Sequence, residues 1–375
     1  MMIRGLYVHI PFCSYKCPYC DFTSLVRSPV GFEDYTAFLL REAELYRDLN
    51  IRLETLYLGG GTPTLLSPGQ IGALIDELGS IFDLSGLKEV TVECNPETYR
   101  FGEFRELLRA GVNRLSLGVQ SFSEEGLKRL GREHGVQESL EAYIHARDAG
   151  FENVSIDIIY GYPGQRVEDI EIELESIGEL NPDHVSAYML TPHENTPMGM
   201  KILGGELEIP EEETLGDIYD RLWKGLKGLG YERYEVSNWA KGGKECKHNL
   251  LYWTMEEFLG LGVSAWGFFG GRRYGNTKNV MSYVKALSEG KKPLQSEVLL
   301  NEEDLFEEEL MLRLRLKWGL GEEDMELIPE RLRGFFEIKG GRLGIREEYM
   351  LLSNEIITEV LLYNSDRNST EVRNG

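Results

Sequence analysis

Six short β-branched or aromatic runs, each followed by a longer polar or amphipathic stretch, set the tightest limit on how this sequence folds. The runs are Leu6 to Ile10, Thr55 to Leu58, Glu89 to Glu93, Arg114 to Gln120, Asn153 to Tyr160 and His184 to Leu190. Between them, Phe32 to Leu49 places Tyr35, Phe38, Leu39, Leu45 and Leu49 at spacings near three and four, the period of a helix. Pro68 to Phe82, Phe101 to Ala110, Ser139 to Ala149 and Val167 to Leu180 repeat that pattern. Recurrent β-then-α units predict a parallel sheet, open or curled toward a barrel.

Polar and glycine-rich clusters follow the strands directly: Gly59-Gly60-Gly61-Thr62 after the second, Asn95-Pro96 after the third and Gly161-Tyr162-Pro163-Gly164 after the fifth. In α/β folds the ligand lies at the carboxyl ends of the strands, where the βα loops converge. Further along, Gly230 to Lys292 is dense in aromatics and glycine and has little periodicity. From about Asn301 an acidic start leads into Leu305, Leu312 and Leu316 on one helical face. Phe335 to Ile338 and Arg342 to Ile345 flank Gly340-Gly341, a hairpin signal. Glu347 to Leu362 reads as a last helix before a polar tail from Asn364 that is expected to fray. The division this implies is 1–230 for the βα core, 231–299 for an extension and 300–375 for a small C-terminal helical and hairpin domain, winged-helix-like.

Hydrophobic residues form 42% of the 375, enough for a sizeable core, which excludes a disordered chain. The 40 Lys and Arg against 63 Asp and Glu leave a net charge of -23, which argues against nucleic acid, whose phosphates demand cations. The uncharged run Phe258 to Gly271 has 14 residues, short of the roughly 20 that span a bilayer, so membrane contact is expected to be peripheral at most. Met1 to Phe12 lacks the features of a signal peptide, and a cytoplasmic location is expected.

Three of the five cysteines, Cys13, Cys17 and Cys20, crowd into eight residues just after the first strand, while Cys94 and Cys246 stand alone. Thiolates suit soft metals, and a four-iron cluster held by three of them keeps one iron open. An open position separates reactive centres from closed structural ones. The competing assignment is a zinc site completed by Cys246 or His248, although structural zinc usually uses paired short spacings. Glu93, Gln120 and Asp157 sit at strand ends around the same mouth, and Arg132 follows a short helical segment after Gln120. Such groups accept ribose hydroxyls or engage a carboxylate, and each alone also fits a solvated or structural charge.

The CxxxCxxC spacing, with an aromatic before the third cysteine, resembles the radical S-adenosylmethionine superfamily, whose open iron is chelated by the amino and carboxylate groups of that cofactor. The resemblance implies that reducing the cluster cleaves the sulfonium to a 5′-deoxyadenosyl radical, chemistry the cofactor supplies while the protein positions and shields it. Tyr7 to Cys13, the GGGTPT stretch ending at Thr64, Ser116 to Phe122 and Asp157 to Gly161 are similar to the oxygen-independent coproporphyrinogen III oxidase group and its relatives. What this implies is an α/β fold, an incomplete (βα)6 radical-SAM barrel with an added C-terminal domain. A [4Fe-4S] cluster on Cys13, Cys17 and Cys20 would sit at its mouth. S-adenosylmethionine would be held by Tyr7, Gly60, Gly61, Thr62, Glu93, Gln120, Arg132 and Asp157, with a further contact expected at Thr191.

Two features depart from the oxidases. Phe22 stands where they carry a further cysteine, and the cysteine loop begins within the first dozen residues of this sequence, whereas theirs follows an N-terminal extension that helps hold a second S-adenosylmethionine. Lys247 to Trp253 instead contains HNxxYW, a signature of the HemW-type heme chaperones. That resemblance implies a protein that binds heme and delivers it to an apoprotein acceptor, with a reductant for the cluster and a homodimer as one assembly. His248 is then the candidate axial ligand, with Asn249, Tyr252 and Trp253 around the macrocycle. A packed histidine hydrogen-bonded among aromatics is the alternative. Coproporphyrinogen III dehydrogenation, or another radical-SAM reaction, is the alternative activity, and no catalytic residue is assigned. His9 and Glu194 are candidates for the mouth, whereas His134, His145, His184 and His193 show no ligand spacing.

Overall fold

The computed structural model describes residues 3–374. Its centre is the expected series of strands: β1 (Gly5–Ile10), β2 (Thr55–Gly60), β3 (Glu89–Cys94), β4 (Arg114–Gln120), β5 (Val154–Tyr160) and β6 (His184–Met189). Each pairs in parallel with the next. The crossovers are α1 (Phe32–Glu44), α2 (Pro68–Ile81), α3 (Phe101–Arg109), α4 (Glu124–Leu130) with α5 (Val136–Ala149), and α6 (Ile170–Leu180). Local signals set their ends. At α2, Ser67 accepts from the Gln70 amide, the Gln70 side chain accepts from the Ser67 amide, and Pro68 occupies the first turn where its missing N–H costs nothing.

Residues alternate in character along the strands. Leu6, Val8 and Ile10 of β1, Leu56 and Leu58 of β2, Val90 and Val92 of β3, and Leu115 and Leu117 of β4 join one core with α1, α2, α3 and α6. Burying each such side chain is worth about 1.5–3 kcal/mol. The intervening positions are polar or aromatic: Tyr7 and His9, Tyr57, Thr91 and Glu93, Arg114 and Ser116, Ser155 and Asp157. With a side-chain period of two they share the other face of the sheet. The helix-covered face supplies stability, and the inner face is free to carry polar chemistry.

The region after Gly230, too short in period to assign from sequence, extends this same sheet at both edges. β7 (Glu232–Glu235) and β8 (Asn238–Ala240) form an antiparallel ribbon beside β6. β9 (Phe258–Leu261) pairs in parallel with β1, and β10 (Trp266–Phe269), β11 (Arg272–Asn276) and β12 (Leu294–Leu299) continue antiparallel. The strand order is β12-β11-β10-β9-β1-β2-β3-β4-β5-β6-β8-β7, and no pairing joins its two ends among the described residues, so the barrel is incomplete. Between β6 and β7 lie α7 (Pro197–Leu203) and α8 (Glu212–Gly228); α9 (Lys247–Trp253) and α10 (Val280–Ser288) follow. Glu42 of α1 fastens the extension: its carboxylate accepts from the Gly262 amide (2.8 Å), Asn276 Nδ2 (2.6 Å) and the Tyr283 hydroxyl (2.6 Å). Burial pushes this carboxyl up to about 7 against those three donors.

The last segment contains α11 (Glu302–Arg313) and a three-stranded sheet of β13 (Leu320–Gly321), β14 (Phe336–Lys339) and β15 (Arg342–Ile345), with the hairpin turning at Gly340-Gly341. The final helix departs from expectation. Glu347–Leu352 is a 3-10 turn, and α12 (Ser353–Asn374) runs on through Asn364 instead of ending before it. Asn364 is buried and its Nδ2 donates to the carbonyls of Leu327 (2.9 Å) and Val360 (2.8 Å), which docks the helix where a frayed tail was expected. Among the described residues no helix is long and apolar enough to cross a membrane.

Candidate functional site

The cysteine loop leaves β1 in direct backbone contact with the glycine turn that ends β2. The Gly61 amide donates to the Ile10 carbonyl (2.8 Å) and the Thr62 amide to the Phe12 carbonyl (2.7 Å). A Cβ at Gly61 would lie 2.5 Å from the Phe12 oxygen, so only glycine lets the two segments meet. Thr62 Oγ1 also donates to Cys13 Sγ at 3.6 Å.

Two inner-face carboxyls stand beside this junction. Glu93 accepts from the Gly60 amide (2.8 Å) and the Tyr57 hydroxyl (2.9 Å); burial pushes it up to about 7, with nearby Asp157 adding to the rise. Asp157 accepts from Ser116 Oγ (2.8 Å) and Ser155 Oγ (3.0 Å), and burial raises it too, partly offset by these hydroxyls and by the buried guanidinium of Arg114. Gln120 ends β4 with φ 69, in the left-handed region that side chains other than Gly rarely adopt, and the β4–β5 register shifts just before it. Glu173 of α6 secures the backbone beyond, accepting from the Phe122 amide (2.8 Å) and Ser121 Oγ (2.5 Å). Glu173 was not singled out from sequence, yet it sits three residues after Ile170 on that helix's buried face, an unusual place for a carboxyl.

Arg132 reaches the cysteine loop. Its Nη1 donates to Cys17 Sγ (3.1 Å) and Nη2 to the Gly118 carbonyl (3.4 Å), the guanidinium lies 5.6 Å from the centre of the Tyr15 ring, and its buried Nε has no partner among the described residues.

These groups converge on one cavity of about 420 Å³ at the carboxyl ends of the strands. Cys13, Cys17, Cys20, Gly60, Gly61, Thr62, Glu93, Gln120, Arg132, Asp157 and Thr191 all line it. So do Tyr15, Lys16, Tyr19, Asp21, Phe22, Tyr57, Asn95, Ser116, Tyr188, Met189 and His193, which sequence reasoning left out. Tyr57 and Ser116 were visible in principle as alternate positions of β2 and β4. The rim residues of the 188–193 segment follow no period.

Several expected residues lie elsewhere. Tyr7 is not on the cavity wall; its ring is one layer deeper, 6.0 Å from that of Tyr57, and its hydroxyl pairs with His9 Nδ1 at 3.1 Å. His9 is buried with its other nitrogen on the Thr23 carbonyl (2.8 Å), and burial lowers it to about 4. Glu194 is exposed and outside the lining. His248, Asn249, Tyr252 and Trp253 do not line the cavity either. α9 crosses the amino ends of the strands, where the Lys247 and His248 amides donate to Glu89 at 2.9 and 3.0 Å. His248 is fully buried, with Nδ1 on Thr55 Oγ1 (2.8 Å) and Nε2 on the Tyr252 hydroxyl (2.8 Å), and burial pushes it down to about 3. Thr55 starts the six-residue β2 and Gly60 ends it, so five steps of strand, about 16 Å, separate this floor from the mouth. In this structure His248 is a packed histidine hydrogen-bonded among aromatics, with both ring nitrogens partnered. Cys246 is buried beside Glu89 (3.5 Å) at the same floor, which removes both proposed completions of a closed zinc site.

Residues 7–177 match the Radical SAM superfamily. Over 361 residues the chain is 36% identical to heme chaperone HemW of Lactococcus lactis, covering 96% of this chain and 91% of that protein. The chain belongs to the HemW family. Heme chaperone HemW of Escherichia coli is 40% identical over 266 residues, covering 70% of this chain and 69% of that one. A Danio rerio relative, radical S-adenosyl methionine domain-containing protein 1, mitochondrial, is 32% identical over 385 residues, covering 96% and 87%. The fold is also that of coproporphyrinogen III oxidase HemN from Escherichia coli, a radical SAM enzyme, with a TM-score of 0.82 at 24% identity over 96% of this chain and 91% of that one. The cavity of this HemW-family chain fits the superfamily's cofactors, a [4Fe-4S] cluster and S-adenosylmethionine. Its donor set is three soft thiols, and the buried Arg132 Nε beside them has no partner among the described residues.

Proposed function

We propose that the protein is a heme chaperone that carries a [4Fe-4S] cluster and S-adenosylmethionine, binds heme, and passes it to an apoprotein acceptor in the cytoplasm, with an electron donor serving the cluster. The observation that carries this reading is the meeting of three cysteines, a glycine turn and the Glu93–Asp157 pair on one cavity, in a chain of the HemW family. Cys13, Cys17 and Cys20 would ligate the cluster. Gly60, Gly61 and Thr62 would let the cofactor's polar end approach the backbone closely. Glu93 and Asp157 would accept hydroxyl hydrogen bonds and balance the sulfonium charge, and Gln120, Arg132 and Thr191 would complete the enclosure. Bound together, cluster and cofactor supply one-electron reductive cleavage of a sulfonium. The protein's part is to orient them, and through Arg132 to place a hydrogen-bond donor on a cluster thiolate.

The test is a comparison of two assays on the anaerobically reconstituted protein. Stoichiometric hemin binding followed by transfer to an apo-hemoprotein, without conversion of coproporphyrinogen to protoporphyrinogen, is the expected result. Conversion of the porphyrinogen would replace this reading with the dehydrogenase.

A further inference from the structure

The rim of the cavity differs in character from its polar interior. Phe22 is 60% exposed, Tyr188 44% and Met189 41%, and all three line the same opening. Large apolar side chains exposed together around a cavity mark a binding surface. His193 stands among them. Of the six histidines it is the only one lining the cavity, and its side chain is 41% exposed. The only polar partner found for its ring among the described residues is Asp21 Oδ2, 3.7 Å from Nε2. By contrast His9, His134, His184 and His248 are buried with both ring nitrogens engaged.

The ring is exposed, and its backbone is set on a fixed base. The His193 carbonyl accepts from the Thr196 amide (3.0 Å) and Thr196 Oγ1 (2.9 Å). Gly199 in the first turn of α7 packs so close that a Cβ there would overlap this peptide. The Met198 amide donates to the Pro18 carbonyl (2.8 Å), which ties this segment to the cysteine loop. On the loop, Lys16 lies at the same rim, its Nζ on the Phe22 carbonyl at 3.1 Å.

We infer that His193 is the axial ligand to heme iron at the mouth of the cavity, with Phe22 and Met189 against the macrocycle and Lys16 paired with a propionate. Imidazole is a common iron ligand, and a carboxylate near the ring, such as Asp21, makes it a better donor by raising its basicity. This site rests on the heme-chaperone reading, and it puts heme beside the cluster rather than at the α9 motif.

The experiment is an anaerobic hemin titration of the cluster-loaded protein, followed in the Soret region and by electron paramagnetic resonance of the ferric heme. Wild type should show imidazole ligation. His193→Ala should weaken hemin binding at least tenfold and abolish that signature, and His193→Cys should restore affinity with a thiolate spectrum. Because the side chain is exposed, neither change threatens folding. If wild type binds hemin and both variants keep its affinity and spectrum, the ligand is elsewhere and this site is refuted while the chaperone reading stands. If wild type itself takes up no hemin, the chaperone reading falls and the site with it.

Discussion

Replacing His248 by Phe separates a structural motif from a heme ligand. The imidazole bridges Thr55 Oγ1 and the Tyr252 hydroxyl, each at 2.8 Å, in a site with no exposure. A phenyl ring keeps most of the packing against Tyr57, whose ring centre is 5.3 Å away, but strands both hydroxyls. An unsatisfied buried group costs about 1–3 kcal/mol, so the loss should be about 2–6 kcal/mol, a large share of the typical 5–15 kcal/mol for a folded chain. Tyr252→Phe removes one bridge and should cost about half as much. Urea unfolding at pH 7 measures both. A second signature comes from pH. Folded His248 resists protonation down to about 3, whereas the unfolded imidazole takes a proton near 6.5, so its contribution to stability is lost as pH falls below 6.5. The deficit of the Phe variant should therefore shrink between pH 6.5 and 4. The folded variant should bind hemin as wild type does. Unchanged stability with hemin binding abolished would refute the floor assignment.

Gln120→Gly should raise stability by about 1 kcal/mol by relieving the φ of 69, while weakening S-adenosylmethionine binding in equilibrium dialysis; unaltered binding would deny Gln120 a place in the site. Folded Glu42 keeps its proton up to about 7 and unfolded Glu releases it near 4.5, so this group's contribution falls as pH rises between those values. Glu42→Gln should thus compare more favourably with wild type at pH 7 than at pH 5, and parallel stability curves would contradict the raised carboxyl. Arg132→Gln should lower the cluster's midpoint potential, since a cationic donor on Cys17 Sγ stabilises the more negative reduced state; an unshifted redox titration at equal iron content would contradict it.

Strand positions were legible because each βα unit carries its own hydrophobic period, and β4 was bounded correctly from Arg114 to Gln120. The cysteine loop and its glycine partner were legible because the chemistry is written into adjacent residues. What escaped was nonlocal. β7 to β11 are three to five residues long, too short to show a period, and β9 finds its partner in β1 some 250 residues earlier in the chain. The HNxxYW residues have ligand chemistry, but whether a histidine faces a cavity or a hydroxyl pair depends on where α9 docks. Glu89, at the amino end of β3, receives that helix's first amides and fixes the answer.

The proposed chemistry needs an iron corner left free by Cys13, Cys17 and Cys20, and electron paramagnetic resonance of the reduced, anaerobically reconstituted protein tests for it. Adding S-adenosylmethionine should shift the cluster's g-values, and Cys17→Ala should abolish the signal. A spectrum indifferent to the cofactor, or one that survives the loss of Cys17, would contradict the open cluster at the cavity.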